Sequence, residues 1–294
     1  VRAHRLAAWV ALLTTAIALG GCRDAAPDDD GADRGDRRYV ALGDSYTSGA
    51  GLPSTRRDGE GCGQSDLSYP RLVAEAIDAL LTDVSCGGAT TENGAEPQSQ
   101  GVLGTPRPPQ LDAVTEDTDV VTVGLGGNDF GWFLGVMFVC TSIAAEDLTG
   151  NPCERQGTSA GSDLTALPPR IGDRLEALLL EVHRRAPGAR VLLVGYPQLV
   201  PAEGTCPELP LAKGDYPFVR AQWEALDAAM REAATAAGAT YVEVLGPSEG
   251  HDVCAGEDAW LNGVEARTGV AAAYHPVAAY QAAVADLVVQ ALQE

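Results

Sequence analysis

Short apolar runs alternate with longer stretches of helical periodicity along most of the 294-residue chain. Tyr39–Leu42, Val84–Cys86, Val120–Gly124, Val191–Gly195 and Tyr241–Leu245 are brief and mostly apolar, and most are rich in valine, the pattern of strands buried on both faces. Between and after them lie helical patterns over Tyr69–Leu81, Leu167–Ala186, Phe218–Ala237 and from Pro276 to Leu292. Leu175, Leu178, Leu179 and Val182 form one apolar stripe at 3–4 spacing, and Pro187-Gly188 ends that helix. Strands alternating with helices predict an α/β fold, a parallel sheet covered on both faces. Glycine- and proline-rich inserts at 53–66 and 95–109, and a third at 140–163, interrupt the pattern. The 257 residues from 38 to 294 suffice for one substantial core, with no internal repeat and no second linker.

The N-terminal stretch follows different rules. Val1 to Arg5 is basic, and an apolar run from Leu6 to Leu19 is too short for a membrane span of roughly 20 residues. It matches a secretion signal. It ends Leu19-Gly20-Gly21-Cys22, which looks like a bacterial lipobox whose cysteine would be acylated; an ordinary cleaved signal with an incidental cysteine is the alternative. Residues 1–21 are thus expected to be a lipoprotein signal peptide. Residues 22–37, rich in Asp, Gly and Ala without apolar periodicity, are expected to be a disordered acidic tether, with the folded domain at 38–294. The expected location is the cell surface as an exported lipoprotein, or the extracellular medium if Cys22 carries no lipid.

Net charge narrows the partners. The chain carries −21; removing residues 1–21 takes away two arginines and no acid, leaving 18 basic against 41 acidic side chains, net −23. Such a charge argues against nucleic acid or anionic head groups as electrostatic partners. Membrane association is expected only through lipid on Cys22, and a monomer is expected. Of seven cysteines, Cys22 accounts for the odd one. Cys62, Cys86, Cys140, Cys153, Cys206 and Cys254 form an even set that reads as a disulfide framework, with 15 pairings possible by counting. Without a Cys-x-x-Cys or Cys/His cluster, neither a metal nor another cofactor is expected.

The chemistry concentrates at the ends of the strands. Tyr39-Val40-Ala41-Leu42 stops at Gly43-Asp44-Ser45, placing a serine hydroxyl at the carboxyl end of the first strand, where open α/β sheets bind ligands. A serine there is a nucleophile candidate, or simply a helix N-cap, and the two roles are compatible. Thr47 stands where Gly-x-Ser-x-Gly needs its second glycine, which excludes that elbow. A helix following Ser45 would point its N–H groups at developing negative charge. Among the histidines, His4 lies in the signal segment, His183 sits near a helix end beside two arginines, where a cation suits the dipole, and His251 is in a loop next to Cys254. His275, before Pro276, opens the last helix and remains as the base. Cys86-Gly87-Gly88-Ala89 and Gly126-Gly127-Asn128-Asp129 follow strands two and three; each alone could be a plain turn.

Taken in order, Gly43-Asp44-Ser45, Gly88, Asn128 and His275-Pro276 resemble the four blocks of the SGNH (GDSL-type) hydrolases, a family of serine esterases and lipases, and the resemblance runs from about Tyr39 to the C-terminus. It implies a three-layer α/β/α sandwich with a five-stranded parallel sheet in the flavodoxin-like order 2-1-3-4-5. It implies Ser45 as nucleophile, His275 as general base, and an oxyanion hole made by the Ser45 and Gly88 N–H groups and the Asn128 side chain. The secreted bacterial esterases it resembles pair their cysteines sequentially, implying Cys62–Cys86, Cys140–Cys153 and Cys206–Cys254. The sequence departs from the family at Ala272, three residues before the histidine, where many members have Asp. A Ser–His dyad is therefore expected, with the Ala272 main-chain carbonyl holding Nδ1–H as in certain family members; Asp252 or Asp258 from the neighbouring loop is the alternative. The run from Trp132 to Val139 reads as a buried helix or lid, or as the wall of an acyl pocket with Trp132 and Phe133 touching substrate. The implied activity is hydrolysis of small-molecule or lipid esters through an acyl-enzyme. The rivals are a polysaccharide O-deacetylase of the same fold and a non-catalytic surface-binding lipoprotein.

Overall fold

The computed structural model describes residues 37–54, 61–99, 106–159, 163–267 and 269–294. The expected signal peptide, the expected tether up to residue 36 and Cys22, the expected site of lipid attachment, lie outside them. Five parallel strands form one sheet: β1 (Arg38–Gly43), β2 (Leu80–Asp83), β3 (Val120–Gly124), β4 (Arg190–Val194) and β5 (Thr240–Val242), ordered β2-β1-β3-β4-β5. This is the order that the sequence analysis anticipates. Tyr39 pairs with Leu81 on one side and Val120 on the other, so β1 and β3 run through the middle of the sheet, and β3 is buried along its whole length.

Four long elements cover the sheet: α2 (Tyr69–Ala76), α3 (Leu167–Arg185), α4 (Tyr216–Ala237) and α5 (Ala278–Gln293), after the single turn α1 (Ser45–Ser48). The sheet grows from β1 to β2 in one direction and from β3 through β5 in the other. With right-handed crossovers, α2 must lie on the opposite face from α3 and α4. The contacts agree: α2 packs on α5, and α3 on α4, giving three layers. The apolar stripe of α3 is buried, and Pro168 near its start supplies the preset backbone of a first helical turn.

β5 ends at Val242, short of the expected Leu245, and two elements differ more from expectation. The second strand is Leu80–Asp83 rather than Val84–Cys86. It is an edge strand with alternating burial and no continuous apolar run, whereas Val84 and Cys86 extend its ladder through main-chain bonds to Ala41 and Gly43. The helix expected over Tyr69–Leu81 stops at Ala76, because Asp78 adopts a left-handed backbone (φ 52°) and the chain turns into β2. Disulfides join Cys62 to Cys86, Cys140 to Cys153 and Cys206 to Cys254, the sequential pairing.

Candidate active site

At the carboxyl ends of β1 and β3 the sheet order reverses, and this junction gathers the residues of interest. Gly43 and Gly124 are paired neighbours there, and a Cβ on either would lie about 2.2–2.3 Å from Thr47 Oγ1. Glycine on both strands gives α1 room to fold back over the strand ends. Instead of a long helix, Ser45 opens a single turn that Gly49 ends in the left-handed region (φ 78°). The buried Asp44 caps it, its Oδ1 accepting from the Tyr46 N–H at 2.8 Å. The Ser45 N–H and Oγ make no hydrogen bond among the described residues.

The turn after β2 is pinned from several sides. The Cys62–Cys86 bridge anchors it, the Gly87 N–H donates to the Cys62 carbonyl at 2.9 Å, and Gln98 Nε2 donates to the Gly87 carbonyl at 2.8 Å. Gly88 is left-handed (φ 77°), which favours glycine, and its N–H is unengaged among the described residues. Asn128 reaches this turn from β3, its Nδ2 donating to the Ala89 carbonyl at 3.0 Å and leaving one amide hydrogen without a partner among the described residues. Next to it, the fully buried Asp129 accepts from the Thr91 N–H at 2.9 Å, from the Thr91 hydroxyl and from Arg174 at 3.1 Å. Asp129 thus bolts the second and third blocks together, and Arg174 also lies 4.0 Å over the Phe130 ring.

His275 arrives on a loop held mostly by main-chain carbonyls. The buried Asn262 donates from Nδ2 to the carbonyls of Glu265, Ala271 and Ala272, while its own N–H binds the His275 carbonyl at 2.9 Å. Gly51 backs directly onto Ala272, where a Cβ would lie 2.5 Å from the Ala272 nitrogen. Tyr46 donates its hydroxyl to the Tyr274 carbonyl at 2.6 Å, and its ring lies 5.3 Å from that of His275. The residue after Ser45 is thereby in contact with the candidate base.

The acceptor for the imidazole is Ala273, not Ala272. His275 Nδ1 lies 2.6 Å from the Ala273 carbonyl, and the Ala272 carbonyl instead accepts from the His275 main-chain N–H at 3.2 Å and from Asn262. Tyr274 is left-handed (φ 56°), and this reverses the chain between acceptor and ring. A carbonyl can only accept, so Nδ1 carries the hydrogen and Nε2 of the neutral ring is left without one. Burial lowers the imidazole pKa below 6.5, with the Ala273 carbonyl opposing the shift. Asp252 is engaged elsewhere, accepting from the Cys254 N–H, and Asp258 offers its main-chain carbonyl to His251, which stacks on Trp260.

The two aromatic candidates separate. Trp132 is 1% exposed and packed on Trp223 at 4.7 Å, so it belongs to the core and does not wall a pocket. Phe133 is half-buried with its ring 5.9 Å from both Tyr46 and His275. Phe138, which belongs to the Trp132–Val139 run but was not expected among the substrate contacts, continues this wall, 6.2 Å from Phe133 and 5.5 Å from Tyr274, and is 41% exposed. Both sit on a segment that becomes π-helical over Leu134–Val139. Gly135 and Val139 of this segment line a separate cavity of about 670 Å³, walled also by Phe130, Ile143, Leu164 and Arg170 among others; neither Ser45 nor His275 borders it.

A serine, a buried imidazole and N–H groups without partners among the described residues thus lie at a sheet switch point, the place where open α/β sheets bind ligands. Residues 41–283 match the GDSL-like lipase/acylhydrolase family, and the chain belongs to it. Lipase 2 of Streptomyces coelicolor is 42% identical over 74% of this chain and 72% of its own length; an esterase of Streptomyces scabiei is 32% identical over 86% and 84%. Among solved structures, phospholipase A1 from Streptomyces albidoflavus superposes with a TM-score of 0.70 at 29% identity, covering 88% of this chain and 98% of that one. The extracellular lipase of Streptomyces rimosus gives 0.68 at 27%, covering 87% and 98%. The chain is an ester hydrolase of this family.

Proposed function

We propose that the protein hydrolyses carboxylic esters through a Ser45–His275 dyad and an acyl-enzyme. His275 Nε2 takes the Ser45 hydroxyl proton as Oγ bonds to the ester carbonyl carbon. The carbonyl oxygen becomes an anion held by the N–H groups of Ser45 and Gly88 and by the free Asn128 amide hydrogen. Nε2 then delivers its proton to the departing alcohol oxygen as the C–O bond breaks. Water repeats the sequence: Nε2 takes its proton, hydroxide adds to the acyl carbon, and the carboxylic acid leaves as Ser45 regains a hydrogen. Phe133 and Phe138 form the apolar side against which the acyl chain lies, and no cofactor takes part.

One observation carries this reading: a buried His275 whose Nδ1–H is committed to a main-chain carbonyl at 2.6 Å, which leaves Nε2 unprotonated near neutral pH. The test is turnover of short-chain esters by Ser45→Ala and His275→Ala. Each is expected to lose at least about a thousandfold with its melting temperature kept; full turnover in either folded variant would end the dyad assignment. The cysteine pattern and the N-terminal segment support an exported protein anchored by lipid on Cys22. Mass analysis of the protein from its native host tests the anchor, and an unmodified Cys22 thiol would refute it.

A further inference from the structure

Tyr196 lies just beyond β4, buried, with its ring 5.3 Å from that of Tyr46 in an edge contact. Its hydroxyl donates to Asp44 Oδ2 at 2.6 Å, and the same oxygen accepts from the Gly127 N–H at 3.0 Å. Asp44 immediately precedes Ser45, and Gly127 immediately precedes Asn128. One phenol oxygen therefore joins the two turns that bear the nucleophile and the amide donor. Gly127 is fitted to this contact, because a Cβ there would lie 3.1 Å from the Tyr196 ring and hydroxyl.

We infer that Tyr196 is a positioning residue of the hydrolytic site, setting the Ser45 turn against the Asn128 turn through Asp44 and Gly127. The assignment rests on Ser45 as nucleophile and goes beyond it by naming what holds two oxyanion donors in register. A buried carboxylate without donors is costly, so Asp44 needs the Tyr196 hydroxyl as well as the Tyr46 N–H. The main chain also joins the Ser45 turn to the end of β3, through the Asp44 N–H and the Gly124 carbonyl at 3.0 Å, and the shared phenol oxygen adds a tie to the Gly127-Asn128 turn itself.

Asp44 makes the arrangement sensitive to pH. Burial raises its carboxyl to about 6, while the hydrogen bonds from Tyr196, Tyr46 and Thr47 pull it back down, and the negative charge of Asp129 adds to the rise. The other ionisable groups that feel it, Tyr46 beside it, Tyr69 from α2 and Tyr280 from α5, are buried phenols, held neutral well above the working range. Above pH 6 Asp44 is ionised and accepts from Tyr196; below it the carboxyl protonates and this tie weakens.

The experiment measures kcat and KM for a short-chain p-nitrophenyl ester from pH 4.5 to 9 in wild type, Tyr196→Phe, Asp44→Asn, the double variant and Ser45→Ala. Tyr196→Phe is expected to lower kcat about tenfold with KM nearly unchanged, because the donors shift relative to the transition state. Its acid limb should also move to higher pH by about half a unit or more, since the carboxylate has lost a donor. In the Asp44→Asn background the same substitution should leave the limb in place. A Tyr196→Phe protein with a lower melting temperature but wild-type kcat and acid limb would overturn the assignment, as would an equal limb shift without Asp44. If Tyr196→Phe does not fold, Asp44→Asn decides alone: an unchanged kcat and acid limb would overturn the coupling. Retained turnover in Ser45→Ala would remove the nucleophile reading itself; its loss, beside a wild-type profile for Tyr196→Phe, would remove only the role of Tyr196.

Discussion

The Nδ1 atom of His275 points at the carbonyl of Ala273, two residues back on the same loop, at 2.6 Å. A neutral carbonyl fixes the tautomer without supplying the negative charge that stabilises an imidazolium in an Asp-supported triad. Among the described residues, the neighbouring acids Asp252 and Asp258 do not hydrogen-bond to the ring. Asp252→Asn and Asp258→Asn are therefore expected to cost less than about tenfold in kcat, far from the roughly 10⁴ that accompanies loss of an orienting acid. Steady-state kinetics on folded variants check this, and a thousandfold loss in either would show that the loop supplies an acid. Ala273→Gly, which keeps the carbonyl, should stay within a few fold of wild type.

Activity and stability are expected to respond to acid through different groups. His275 titrates below 6.5 in the folded protein, so the unfolded chain binds its proton first as pH falls. Its contribution to stability is complete above 6.5 and is lost as pH falls from there through the folded value. Asp44 has the opposite sign: with its carboxyl at about 6, the folded protein takes up that proton before the unfolded chain does. Its stabilising contribution is complete below the ordinary carboxylate value of about 3.9 and is lost as pH rises through 6. Asp44→Asn should consequently raise the melting temperature at pH 8 relative to wild type while lowering kcat. Thermal melts at pH 5 and pH 8 check the sign; an equal change at both would contradict it.

Phe133 and Phe138 are expected to govern acyl-chain preference. Each buried methylene is worth about 0.8 kcal/mol, so an acyl chain of several carbons lying on these rings gains what an acetyl group cannot. Phe138→Ala should reduce kcat/KM for octanoyl esters about tenfold and leave acetyl esters nearly unaffected. A panel of acyl lengths measures this; equal losses for all lengths would place Phe138 outside the acyl path. Trp132→Phe, in the core against Trp223, should lower the melting temperature without changing the length profile.

The Cys62–Cys86 bridge is expected to matter for turnover more than its neighbours do. It anchors the turn on which Gly88 stands, whereas Cys206–Cys254 ties segments farther along the chain. Loss of a native bridge typically costs about 2–5 kcal/mol of stability. Replacing Cys62 and Cys86 together by serine should lower kcat even at temperatures where circular dichroism shows the fold intact. Wild-type kcat in that variant would mean the remaining hydrogen bonds hold the turn unaided.

The central strands were legible because β1 and β3 are covered on both faces and must be apolar at nearly every position. β2 was not, since Leu80, 60% exposed at the edge, obeys no such rule. Ser45, Gly88, Asn128 and His275 stood out because their blocks follow one another in the order of the family's motifs, the first three each at the end of an expected strand. Ala273 could not be distinguished from Ala272: the acceptor is a main-chain atom, and the left-handed backbone of Tyr274 decides which carbonyl meets the ring. Tyr196 lay at a strand end, where ligand sites gather, yet its partner Asp44 is 152 positions away, and only the tertiary fold brings the two together.

The three bridges follow one another without nesting or crossing. A chain appearing N-terminus first can close Cys62 on Cys86 before Cys140 emerges, and Cys140 on Cys153 before Cys206 does. At each stage the partner is the next cysteine to arrive. Oxidation in step with vectorial emergence would thus reach the native connectivity with little need for an isomerase. Refolding the complete reduced chain, with all its thiols competing at once, is the harder route.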